Sequence, residues 1–174
     1  KMKKILTPYF LDSPLPGLEA VKDWDWAIIR HQLPESSQIE RMAALHSSLA
    51  SEVTEICSRG DLPVSLAGDC CAAIPILAGL RRSGINPLLI WFDAHGDFNT
   101  WETTPSGFLG GMPLAMLVGR GEQTLLENLG MGPIDEDRVI LTDARDLDPG
   151  ERELVARSRV THLEDPLELL DYSF

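Results

Sequence analysis

Cysteine is scarce in this sequence: three residues in 174, two of them adjacent at Cys70 and Cys71. That count makes no disulfide framework and leaves core thiols, or in one case a ligand, as the readings. Basic residues are also in deficit, 15 against 27 acidic ones, for a net charge of −12. The sign argues against a nucleic-acid partner and is compatible with a small cationic substrate. No apolar run approaches the roughly 20 residues of a membrane span, and the six residues before Thr7-Pro8 are too few for a signal peptide. A cytoplasmic protein with no membrane partner is expected. Internal repeats, low-complexity tracts and dividing linkers are absent, so residues 1–174 are read as a single domain able to bury a sizeable core. A Gly-rich phosphate loop with a basic cluster is missing too, which argues against a two-metal phosphoesterase.

What is present alternates strands with helices. Residues 3–10 and 24–30 read as strands, the second open to an irregular reading, with Asp23 and Asp25 at the surface. A long helix is predicted over 38–59: Ser37 and Glu40 form a capping box, Met42, Leu45, Leu49, Val53 and Ile56 make the apolar stripe, and Gly60 ends it. His46 falls off that stripe and is expected in solvent, whereas Cys57 sits beside it as a small buried side chain. A strand at 63–67, an apolar helix to about 80 and a strand at 88–92 follow, the spacing of a right-handed parallel crossover. Residues 88–92 are apolar without a break, so this strand is expected to be buried on both faces. Residues 100–113 form a long Gly-, Pro- and Thr-rich loop, of a length that is usually functional. Short helices at 114–118 and 123–129, a strand at 138–142, a loop over 143–151 that leads into another helix, and a strand at 160–163 complete the chain.

Beyond the central strand stand Asp93, His95 and Asp97, ligand-type side chains at every second position. Extended chain would put all three on one side, with the outer two roughly 13 Å apart, too far to share an ion at about 2.1 Å. Either the chain bends there, which Ala94 and Gly96 permit, or there are two ions. Carboxylate and imidazole suit Mn, Zn, Fe or Ni. In open α/β sheets ligands bind just past the carboxyl ends of strands, where Asp69 and Cys70 also fall.

Four ordered blocks resemble the arginase or ureohydrolase family, which includes agmatinases and formimidoylglutamases. Trp91-Phe92-Asp93-Ala94-His95-Gly96-Asp97-Phe98-Asn99 is similar to its Asp-Ala-His-x-Asp motif, and Gly68-Asp69-Cys70 stands where the family has Gly-Asp-His. Ser106-Gly107-Phe108-Leu109-Gly110-Gly111-Met112-Pro113 resembles the substrate loop Ser-Gly-Asn-x-His-Gly-x-Pro, and Arg145-Asp146-Leu147-Asp148-Pro149-Gly150-Glu151 the loop Arg-Asp-Val-Asp-Pro-Gly-Glu. The resemblance implies a three-layer α/β/α fold with a mainly parallel sheet, incomplete on its C-terminal side. It implies two manganese ions, with Asp93 bridging them, His95 on one, and Asp97 on the other and hydrogen-bonded to the nucleophilic water. It implies a guanidino or amidino substrate contacted by Ser106 and Asp148 and hydrolysed at a C–N bond, a guanidinium carbon giving urea and an amine, and it implies a homo-oligomer.

Departures from the pattern matter as much. Cys70 replaces a ligand His, so one ion only, or Zn, Fe or Ni, becomes an option. Gly110 and Phe108 replace the loop His and Asn, turning a polar wall apolar. After Glu151 there is no Asp-x-Asp strand motif and no later substrate-binding Glu. In the family the strands that would follow lie inside the sheet, so open hydrophobic edges are expected here. A metal-dependent hydrolase is the leading reading; a family relative that serves as a binding or assembly module is the alternative.

Overall fold

The computed structural model describes residues 1–21 and 25–173; Asp23 and Trp24, expected at the surface and in the second strand, lie outside the described residues. The chain divides into two compact units, Lys1–Asn86 with Thr124–Met131, and Pro87–Gln123 with Gly132–Phe174.

The first unit opens with β1 (Met2–Thr7), a small ribbon of β2 (Tyr9–Phe10) and β3 (Ser13–Pro14), and β4 (Trp26–Ile28). Then come α1 (Gln38–Ser58), β5 (Leu62–Ala67) and α2 (Ala73–Arg82). β4, β1 and β5 form a parallel sheet in that order, Lys4 standing opposite Trp26 on one side and Val64 on the other. The capping box forms as expected: Glu40 Oε2 accepts from Ser37 N at 2.9 Å and Ser37 Oγ from Glu40 N at 3.3 Å. Leu49, Val53 and Ile56 of α1 pack with Ile5, Ile29 and Ala72, and Cys57, expected to be buried, is half-buried at the margin of this core.

His46 departs from expectation, for it is buried. The buried face of α1 also includes Ala50, beside Met42, Leu45, Leu49, Val53 and Ile56. It is wider than the apolar stripe because α1 packs on α2, on β5 and on α4 (Thr124–Asn128), and His46 falls within that width.

The second unit carries β6 (Leu89–Asp93), α3 (Pro113–Leu117), β7 (Val139–Asp143), α5 (Pro149–Ala156) and β8 (Thr161–Leu163). Its sheet is parallel in the order β6-β7-β8. The strand buried on both faces is the central β7, whose residues 139–142 are all buried. β6, expected to have that property, is instead an edge strand: Trp91 is buried, but Ile90 and Phe92 are 42% and 63% exposed. Its apolar run supplies two apolar faces and this sheet covers one. β5 is likewise the edge of its own sheet, with Leu62 and Val64 exposed. β5 and β6 belong to different sheets.

Candidate functional site

β6 delivers Asp93 at its carboxyl end, opposite Asp143 of β7. The chain then turns at once, because Asp93 Oδ1 accepts a hydrogen bond from His95 N at 2.9 Å. The loop after β7 is tied alongside: Ala144 N donates to Asp93 O at 2.7 Å and Asp146 N to Ala94 O at 2.9 Å. His95 is thereby set between two carboxylates, its Nδ1 3.4 Å from Asp93 Oδ1 and its Nε2 3.9 Å from Asp146 Oδ2.

Of the alternatives left open by the spacing, a bend or two separated ions, the bend is observed. Gly96 makes it possible by close approach, since a Cβ there would stand 2.7 Å from Leu147 Cδ2 and 2.8 Å from Glu151 Oε1. Asp97 then takes a left-handed backbone (φ +48°), as do Asp143 (+73°) and Ala144 (+27°). Left-handed non-glycine residues are costly and concentrate at functional sites. Asp97 O accepts from Leu114 N at 2.9 Å and Ala115 N at 3.1 Å, which fixes the bend on the first turn of α3 and leaves the residue only 5% exposed.

Glu151 joins this turn to the start of α5. Its Oε1 accepts from Phe98 N at 2.8 Å and its Oε2 from Asp148 N at 3.2 Å, the second bond being the return half of a capping box. Burial pushes the Glu151 carboxyl above its ordinary range, opposed by these two amides. Asp148 Oδ2 accepts in turn from Asn99 Nδ2 at 2.9 Å, and Asn99 Oδ1 from Thr103 Oγ1 at 3.0 Å. Neither the cap, in a stretch expected to be loop, nor the reach to Phe98 across 53 positions was among the readings of the sequence.

These segments enclose a cavity of about 320 Å³ in the second unit. Asp97, Asp146, Asp148 and Glu151 line it with His95, Asn99, Thr104 and Ser106, while Phe108, Gly110 and Gly111 form an apolar wall; no Lys or Arg is among the lining residues. His95, Asp97, Ser106 and Asp148, all expected at the site, therefore meet in one cavity, and Asp93 sits directly behind His95. Asp146, Asn99 and Thr104 join them; the irregular loop composition of 100–113 was the one signal for Thr104. Cys70 belongs to the first unit, exposed on a short 3-10 turn. There Asp69 is structural, accepting from Cys71 N at 2.9 Å and Leu11 N at 2.7 Å, and burial raises its pKa. Cys71 is fully buried, a core thiol.

Comparison with known proteins agrees with the fold and the blocks. The model of the arginase family matches residues 16–166. The arginase of Bacillus subtilis is 39% identical over 125 residues and that of Bacillus caldovelox 40% over 118, matches that cover 71% and 67% of this chain. The chain spans 42% and 40% of the length of those relatives. Among solved structures, the arginase of Bacillus caldovelox superimposes with a TM-score of 0.77 at 29% identity, covering 97% of this chain and 66% of that one. Formimidoylglutamase of Bacillus subtilis, at 14% identity and a TM-score of 0.62, shares the fold. The match over residues 16–166, with parallel sheets and flanking helices of the arginase fold, establishes that the chain belongs to the arginase family.

Proposed function

We propose that this chain carries the centre of a metal-dependent hydrolase that cleaves the C–N bond of guanidino or amidino compounds. The observation that carries the reading is the meeting of His95, Asp97, Ser106 and Asp148 in one acidic cavity. Family membership supports the hydrolase class. Asp93, His95 and Asp97 are the proposed ligands of the ion or ions, and Cys70 is proposed as a further ligand only on the place it takes in the motif, where the family has His. This donor set fits manganese first, with Zn, Fe or Ni favoured if the Cys70 thiolate takes part. The buried, left-handed setting of Asp97 supports the reading as well, since strained backbone concentrates at functional sites.

A divalent cation bound there would lower the pKa of a water from 15.7 toward about 7. The chain's own groups do the rest. Asp97 accepts a hydrogen bond from the attacking water and receives its proton. Asp148 faces the amino end of the substrate, and Ser106 offers its hydroxyl to the other polar end. Water oxygen adds to the guanidinium carbon, the bond to the alkyl nitrogen breaks, and that nitrogen leaves with the proton, giving urea and an amine. A soluble, cytoplasmic homo-oligomer is the proposed setting; among the described residues no helix is long and apolar enough to cross a membrane.

The second reading, a binding or assembly module, is favoured by Cys70 and Gly110 at the places of two family His residues. Metal content after loading with Mn²⁺, measured beside urea release from a panel of guanidino compounds, separates the two. Stoichiometric metal with turnover supports the enzyme, and a folded chain with neither supports the module. Asp93→Ala is expected to abolish metal retention, whereas loss of a mere turn-capping carboxylate would cost only about 1 kcal/mol of stability and leave the metal in place.

A further inference from the structure

The apolar wall of the cavity is built from one contact. A Cβ on Gly110 would stand 2.4 Å from Cζ and 2.5 Å from Cε1 of Phe108, so the phenyl ring lies across the glycine and fills the place of any side chain there. The ring is seated by its own backbone: Phe108 N donates to Ser106 Oγ at 3.2 Å, and Phe108 O accepts from Gly111 N at 3.1 Å. It is nonetheless 44% exposed, and it lines the cavity. An aromatic ring lining the same cavity as Asp97, Asp146 and Asp148 is a receptor for an organic cation, attracted by the ring's electrons and by the carboxylates together. A carboxylate on the ligand meets the opposite: like charge on one side and an apolar ring on the other.

We propose that Phe108, lying across Gly110, makes this cavity selective for guanidinium or amidinium compounds with an apolar arm and no carboxylate. The inference rests on the hydrolase reading for the identity of the site, and binding tests it apart from turnover.

Three probes share one head group: n-butylguanidine, 4-guanidinobutylamine and L-arginine. Calorimetry on the full chain in Mn²⁺-supplemented buffer is expected to show the first two binding at least about tenfold tighter than arginine. Phe108→Asn is expected to erase that ratio by weakening butylguanidine. Gly110→Ala, which must displace the ring, is expected to act in the same direction. Arginine binding as tightly as butylguanidine, a ratio unmoved by Phe108→Asn, or no binding of any probe each overturns the proposal. Urea release, assayed in parallel, judges the hydrolase reading separately. Tight, selective binding with no urea from any probe defeats hydrolysis and leaves the selectivity standing; urea with unselective binding does the reverse.

Discussion

Glu151 shows how one buried carboxylate can serve two segments. A residue that only capped α5 would matter to Asp148 alone, but this one also accepts the Phe98 amide next to Asp97. Glu151→Gln keeps the shape and turns an amide group toward a backbone N–H. We expect a loss of about 1–3 kcal/mol in denaturant unfolding, with faster hydrogen exchange at Phe98 as well as Asp148. Exchange that quickens at Asp148 and spares Phe98 would reduce the residue to a cap. His46 makes a pH-dependent prediction. Burial drives its pKa from 6.5 down to about 4, and its Nδ1 has no hydrogen-bond partner. The unfolded chain takes up the proton near 6.5 and the folded chain only near 4. Stability is therefore whole above pH 6.5 and falls as pH drops through that window, by roughly 3 kcal/mol at its full extent. Melting temperatures of wild type and His46→Leu, compared at pH 7 and pH 5, should converge or cross if this is right, the variant losing much less on acidification. Neither role was legible in the sequence, because burial of a polar side chain depends on how many neighbours its helix acquires.

At the level of elements, punctuation was easy to read and partnership was not. The start of α1 is where Ser37 and Glu40 put it, and Pro149 begins α5, because these signals act within four residues. The bend after β6 could be anticipated from Gly96, though not the carboxylate that Gly96 clears. The misjudged element is β6, whose apolar composition matched a central strand while its position in the sheet is an edge. Sequence composition reports what a strand is able to bury; strand order decides what is buried. The consequence is measurable. A parallel edge with Ile90 and Phe92 exposed should make the isolated 174-residue chain self-associate as its concentration rises. Phe92→Lys places a charge on that face and should shift sedimentation velocity profiles toward monomer, while an unchanged profile would clear β6 of responsibility.

For the molecule as a whole, the four blocks that mark the family lie between residues 68 and 151, and residues of three of them line the cavity. Their meeting is a property of the fold, which brings residues 93–99, 104–111 and 146–151 to one end of a parallel sheet. What those blocks do not disclose is the conformation they impose. At Asp97 the backbone adopts a twist that glycine would accept freely, so Asp97→Gly should melt no lower than wild type, and about 1 kcal/mol higher if relief of the twist dominates, while binding no Mn²⁺. A thermal-shift assay beside a metal titration reads both. Selection for robustness alone would thus erode this corner of the protein, and descendants freed from any chemical duty should be recognisable by glycine at position 97.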